Sequence, residues 1–210
     1  MEQSIFNYNF KPKLNIDDFY VNASNKTAYN FIINKDIKNS KILLIGSNKS
    51  GKTHLGRIWL SIHEAILFDN NLQYLLNNKK NILIDNFLHN INEEHIFHIV
   101  NHCNLNNLNI LLTSNINLSA YNFKLLDLLS RLKTFSLLKI NLPDDELIIN
   151  LIIKLLHDKQ VIINNLEIFQ YILKRINRSY EEIYLFVEKV DKLSLEQKRE
   201  LTIPLIRDLI

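Results

Sequence analysis

The chain has 210 residues, 47% of them hydrophobic and 22% charged, with a formal net charge of +3. A chain of that length buries roughly 70% of its unfolded surface, so it can build a real core. The charge is too mild for a DNA-wrapping surface, the single cysteine excludes an internal disulfide framework, and no apolar stretch reaches the ~20 residues of a membrane helix. With no secretory h-region either, we expect a cytoplasmic protein without a membrane partner.

Residues 1–15 read as an extended arm with scattered aromatics. Asp17-Asp18-Phe19-Tyr20-Val21 follows and leads into a helix capped near Asn22 or Ser24. Lys41–Ile45 is a short continuous apolar run, the pattern of a buried parallel strand. Two of the chain's 3 glycines fall in the next eight residues, Gly46-Ser47-Asn48-Lys49-Ser50-Gly51-Lys52-Thr53. This segment fits G-x-x-x-x-G-K-[ST], a phosphate-binding loop. Glycine is needed where a backbone takes unusual dihedrals or approaches a ligand closely, and this chain spends almost all of its glycine here. Beyond the loop, Leu55, Ile58, Trp59 and Ile62 recur at helical spacing, so strand, loop and helix stand in the order phosphate binding requires.

Four more strands are predicted, at Ala65–Phe68, Asn81–Ile84, Asn109–Thr113 and Phe135–Leu142. Helical patterns at 91–104 and 122–132 separate the later ones, which predicts an α/β fold with a parallel five-stranded sheet flanked by helices. The stretch between the second and third strands, 70–80, is short and reads as a trimmed connection. After Pro143 only helical periodicity remains, at 144–157, 164–176, 179–192 and 195–210, which predicts a small C-terminal all-α subdomain. The expected units are therefore an arm over 1–15, a nucleotide-binding subdomain over 16–143 and a helical unit over 144–210.

The chemistry follows from these positions. The helix opening at Gly51 aims free N–H groups and a positive dipole end into the loop. Lys52 can reach β- and γ-phosphate oxygens, and the Thr53 hydroxyl can ligate Mg²⁺. Asp85 ends the third strand, where a carboxylate can hold the same ion; otherwise it is loop punctuation. The next residue, Asn86, has a neutral amide that accepts no proton, so binding without brisk hydrolysis is expected. Asn115 ends the fourth strand, within reach of a γ-phosphate or a water. Arg131, in Leu128-Leu129-Ser130-Arg131-Leu132, is in isolation a solvated arginine at a helix end; in this ordered series it becomes a candidate arginine finger. His98 and His102 have the i, i+4 spacing of metal ligands, but no carboxylate or thiolate joins them and we assign no metal site there.

Taken in order, these motifs resemble the AAA+ module of the DnaA family, and most closely its short Hda-type branch. Asp17–Asn22 is similar to the family's entry segment beside the adenine, which implies roles for Phe19, Tyr20 and Val21 in holding the base. The loop Gly46–Thr53, with His54 beside it, matches at every fixed position. Leu83-Ile84-Asp85-Asn86 resembles the Hda version of Walker B, Leu111–Asn115 resembles sensor 1, and Leu129–Leu132 resembles the arginine-finger motif. Leu201-Thr202-Ile203-Pro204 resembles the Hda C-terminus. The lid's sensor 2 arginine falls on Glu181 by spacing, with Arg178 one turn away as its substitute.

The resemblance implies a fold, a P-loop AAA+ sheet with a helical lid, and a function, regulation of chromosome replication initiation. It further implies bound ADP or ATP with Mg²⁺ at Thr53 and Asp85, and weak or no intrinsic ATPase. Arg131 would act in trans on ATP held by DnaA, with Asn115 as sensor 1. Gln3-Ser4-Ile5-Phe6 resembles the peptide that engages the β sliding clamp of DNA polymerase III, an extended segment placing Ile5 and Phe6 in an apolar groove. A homodimer is a further partner the family allows; sequence-specific DNA binding is not expected. The rival readings are a helicase loader or initiator-like ATPase of the same superfamily, and a small P-loop kinase.

Overall fold

The computed structural model describes residues 14–89, 92–161, 167–197 and 203–207. Its centre is a five-stranded sheet in the order β2-β3-β4-β1-β5, with every neighbouring pair parallel. The strands are β1 (Lys41–Ile45), β2 (Ile66–Leu67), β3 (Ile82–Ile84), β4 (Ile110–Ser114) and β5 (Ser136–Lys139). Helices cover both faces, so the central strands carry continuous apolar runs, Ile42–Ile45, Ile82–Ile84 and Ile110–Leu112, rather than alternating ones. Ile42 and Leu44 of β1, Leu83 of β3 and Leu111 of β4 face one layer, where they meet Ala28 and Ile32 of α1 (Lys26–Ile32) and Leu55, Ile58 and Trp59 of α2 (Lys52–Ile62). Leu43, Ile45, Ile82, Ile84, Ile110 and Leu112 face the other layer. There they meet α3 (Leu72–Leu76), α4 (Glu93–Leu105) and α5 (Leu126–Leu132). The alternation follows from the period-2 geometry of a strand.

The strand order places β1 between β4 and β5, so the chain leaves β1 in one direction and returns to its other side with β5. The crevice at this switch opens at the carboxyl ends of the strands, where ligands of open α/β sheets gather. Gly46, Asp85 and Asn115 all lie just beyond those ends.

Residues after the sheet form α6 (Asp145–Asp158), α7 (Glu167–Leu173), α8 (Tyr180–Gln197) and α9 (Ile203–Arg207). They share a separate core in which Ile148, Ile152, Leu156, Ile172, Ile183 and Val190 are buried. Asp144 caps α6 by accepting from the Leu147 amide at 2.8 Å, and the same oxygen accepts from the Asn22 side chain at 2.9 Å. The segment ahead of α1 is thus tied to the first lid helix. Tyr180 adds a second tie, its hydroxyl lying 3.2 Å from Ser24 Oγ.

Several elements differ from the sequence expectation. Helix α1 starts after Asn25, whose side chain is engaged by the Asn22 amide and the Tyr20 carbonyl rather than by a helix N–H. Strand β5 is shorter than 135–142, because β1 bends into its loop at Gly46 and the last pairing is the Ile140 amide on the Ile45 carbonyl. A five-residue helix, α3, stands in the 70–80 stretch, capped by Asn71 on the Tyr74 amide at 3.0 Å. Helix α8 runs on to Gln197, past the expected end at 192.

Candidate functional site

Gly46 leaves β1 with its amide donating to the Ser114 carbonyl at 3.2 Å, so the loop begins locked to β4. A Cβ at Gly46 would lie 2.6 Å from Ser50 Oγ and 3.1 Å from Ile140 Cβ, so any side chain there would force the buried Ser50 hydroxyl to move. Gly51 has φ +94°, a left-handed conformation that costs other residues about 1–2 kcal/mol. It starts α2 with no side-chain cap, which leaves the first amides of the helix open toward the loop interior. Ser50 Oγ is buried and has no hydrogen-bond partner. A buried hydroxyl without a partner is costly, and a phosphate oxygen in the loop would satisfy it. The loop therefore fits a phosphate on the grounds of its own geometry.

Lys52, only 8% exposed, folds back to donate to the Ser47 carbonyl at 2.7 Å. Burial pushes its pKa below the usual lysine range, and the charge of Asp85 opposes that shift. Thr53 Oγ1 donates to Asp85 Oδ2 at 2.8 Å, and Thr113 Oγ1 donates to the other oxygen, Oδ1, at 2.5 Å. Both Asp85 oxygens are thus aimed by hydroxyls, one from the first turn of α2 and one from β4. Thr53 and Asp85 form a pair of hard oxygen ligands of the kind Mg²⁺ accepts. Thr113, fully buried on β4, also receives the Asn86 amide at 2.7 Å, so one side chain fixes the whole end of β3. From sequence alone Thr113 has no role of its own; buried hydroxyls directly after the apolar run Ile110–Leu112 are the signal that points to it.

Asn86 has φ 50°, in the left-handed region that asparagine tolerates better than most residues. The backbone alone therefore disfavours a glutamate at this position. Asn86→Glu is expected to cost about 1 kcal/mol in chemical denaturation, whereas Asn86→Gly should stay within a few tenths of wild type. Asn115 lies at the rim, its Nδ2 donating to Asn48 Oδ1 at 3.2 Å, so it touches the tip of the phosphate loop.

Beside the loop a cleft of about 740 Å³ runs between α2 and the lid. Its walls include Phe19, Tyr20, Lys49 to His54, Leu151, Lys154, Tyr180 and Tyr184. Phe19 stacks on Tyr29 with ring centroids 5.6 Å apart and meets the His54 ring edge-on at 5.2 Å. The His54 ring reaches the Asn15 carbonyl at 2.7 Å, and burial holds its pKa below the normal histidine range. Lys154 on α6 donates to the Asp18 carbonyl. The cleft is thus apolar and aromatic at one end and lined by amides and cations at the other, which suits a base joined to phosphates. Sequence reasoning missed the lid's contribution, Tyr180, Tyr184 and Lys154, because their helical periodicity looks the same whether a face covers a core or a ligand.

Not every predicted residue gathers here. Val21 is outside the lining of the cleft. Arg178 is 60% exposed and paired with Asp145 at 3.0 Å, also away from the cleft wall. From the loop side Lys49 reaches across the cleft, its ammonium 5.0 Å from the centroid of the Tyr184 ring. Gln3, Ser4, Ile5 and Phe6 lie outside the described residues. Among the described residues no group of three or more His, Cys, Asp or Glu could hold a metal ion, and His102 instead contacts the Asn78 carbonyl at 3.0 Å.

Arg131 occupies a second hollow, of about 500 Å³, together with Lys41, Asn104 and Asp127. Lys41 is the first residue of β1 and the phosphate loop follows the last, so the two sites sit at opposite ends of the strand, about 13 Å apart along it.

Residues 157–210 match the family model described as Hda, lid domain. No curated protein matches the chain. Domain III of the replication initiation protein DnaA from Thermotoga maritima superposes with a TM-score of 0.75, at 17% identity over 95% of this chain and 96% of that one. AMPPCP-bound DnaA from Aquifex aeolicus gives 0.68 at 20% identity, over 90% of this chain and 69% of that one. The RuvB Holliday junction branch migration motor of Thermotoga maritima gives 0.68 at 14% identity, over 93% and 70%. At these identities the likeness is one of fold, a parallel five-stranded sheet flanked by helices with a C-terminal helical region.

Proposed function

We propose that this chain, an Hda-like DnaA homologue that joins a DnaA-like AAA+ fold to an Hda-type lid, is a regulator of chromosome replication that holds ADP or ATP at Gly46–Thr53 and presents Arg131 to ATP bound on DnaA. On this reading residues 16–143 form the nucleotide-binding unit, 144–210 the lid, and 1–15 an arm whose Gln3–Phe6 engages the β sliding clamp. The fold and the lid support the DnaA-related assignment; the phosphate loop and its cleft support the nucleotide.

Within the chain's own site, the amides of the first turn of α2 and Lys52 hold the phosphates, and Phe19, Tyr20 and the lid tyrosines enclose the base. Magnesium held through Thr53 and Asp85 would neutralise phosphate charge. Asn86 accepts no proton, so no carboxylate next to Asp85 activates a water and hydrolysis in this site is slow. The chain therefore retains its nucleotide as a structural ligand.

The single observation that carries the trans reading is the position of Arg131. It stands at the opposite end of β1 from its own phosphate loop, too far to serve a nucleotide held there. That position supports a role for its guanidinium toward a neighbouring molecule.

The test is a reconstitution in which DnaA preloaded with labelled ATP is mixed with this protein, DNA and the β clamp. Hydrolysis is expected to accelerate only when the protein and DNA-loaded clamp are both present, and Gln3→Ala should remove the clamp dependence along with clamp binding. Hydrolysis that proceeds at the same rate without this protein would reject the reading.

A further inference from the structure

One face of α4 runs beneath the helix that carries Arg131. Glu93, Phe97, Val100 and Asn104 recur at spacings of four, three and four, so they form a single stripe. Two of them contact the α5 region directly, and the other two line a hollow beside it. Glu93 accepts from the Leu125 amide at 2.6 Å and from the Lys124 amide at 3.1 Å, which caps the start of α5 with a carboxylate. Negative charge at that end complements the helix dipole and fixes where α5 begins. One turn along α4, the Phe97 ring lies under the Arg131 guanidinium, with Cζ 5.0 Å from the ring centroid. Val100 and Asn104 line the same hollow as Arg131.

The choice of an aromatic support has a chemical consequence. A carboxylate partner would hold Arg131 through its N–H groups and neutralise it, and docking on a phosphate would first have to break that pair. Asp127 stands four residues before Arg131 on the same helix, yet among the described residues Arg131 makes no ion pair. A ring instead holds the flat face of the guanidinium and leaves its five N–H donors, which radiate in the plane, unspent. The half-buried Arg131 is in this way supported by a ring and not by a carboxylate.

We infer that Phe97 is a positioning residue for Arg131, acting with the Glu93 cap to pre-align the guanidinium for an anionic group on a partner molecule. This inference rests on the trans reading of Arg131 given above. A guanidinium already ordered avoids the entropy of freezing a long side chain during the partner's reaction, so the loss of Phe97 lowers the rate at saturation rather than the affinity for the partner.

The experiment compares wild type, Phe97→Leu, Phe97→Tyr, Arg131→Ala and the double variant Phe97→Leu/Arg131→Ala, titrating each into DnaA loaded with labelled ATP in the presence of DNA-loaded clamp. Phe97→Leu should lower the saturating rate by about 3- to 30-fold without moving the half-saturating concentration, and Phe97→Tyr should restore it. In the Arg131→Ala background Phe97→Leu should have no further effect. An undiminished rate for Phe97→Leu, or a rise in half-saturation with no change in maximal rate, would overturn the inference. So would a further loss on top of Arg131→Ala, since that would mean Phe97 acts through packing alone. If Arg131→Ala itself were silent, it is the trans reading that would fall.

Discussion

Arg131→Ala is expected to reduce the stimulated hydrolysis of DnaA-bound ATP by about 10³- to 10⁵-fold while leaving this protein's own nucleotide affinity unchanged. The size of the effect follows from where the charge develops. Phosphoryl transfer spreads negative charge over the oxygens of the moving group, and a guanidinium aimed at them stabilises the transition state more than the ground state. The silence at the chain's own site follows from the fold, because Arg131 and the phosphate loop flank opposite ends of β1. Arg131→Lys should recover little, since an ammonium has neither the planar fork nor the flat face that rests on Phe97. Single-turnover hydrolysis on preloaded DnaA measures the first quantity, and titration with a fluorescent nucleotide measures the second. Equal losses in both would place Arg131 in the folding of the chain, and no loss in either would remove it from the mechanism.

The parts legible in the sequence were those where one local rule decides the outcome. Lys41–Ile45 reads as a doubly covered strand, and the glycines at Gly46 and Gly51 sit where the Ser50 and Ile140 side chains crowd any Cβ or where the backbone turns left-handed. The five strands and their parallel arrangement followed from the alternation of short apolar runs with helical patterns, whereas the order of the strands came only from the fold. What stayed hidden depends on contacts between distant segments. Helix α3 is five residues long among asparagines, too short for periodicity to register, and its stability comes from burying Leu75 and from the Asn71 cap. Strand β5 ended early because its partner β1 turns away, a fact about β1 and not about residues 140–142. Thr113 and the lid tyrosines earn their places only once β3, β4 and α8 are brought together. Arg178 stands as a substitute because it lies one turn from Glu181, where the resemblance puts the sensor 2 arginine, and in the fold its guanidinium is paired with Asp145 instead.

That pairing raises the weight on Lys52, since the lid brings no arginine to the cleft wall among the described residues. Lys52→Ala should weaken nucleotide binding by about 10²- to 10³-fold, in line with removal of a buried charged partner of a phosphate. Lys52→Arg should also bind poorly, because the ammonium is tucked against the Ser47 carbonyl in a space an 8% exposed side chain already fills. The pH dependence carries the sign of the same group. Burial holds the Lys52 pKa below that of a free lysine in the empty loop, and a bound phosphate raises it again by attracting the charged form. At pH values below the depressed pKa the lysine is charged in both states and affinity is flat. Above it, binding must take up a proton, so affinity falls about tenfold per pH unit until the raised pKa of the complex is reached. In Lys52→Ala that alkaline slope should disappear. Isothermal titration in two buffers of different ionisation enthalpy reads the proton uptake directly, and an alkaline slope that survives in Lys52→Ala would assign the phosphate contact to Lys49 or Lys154 instead.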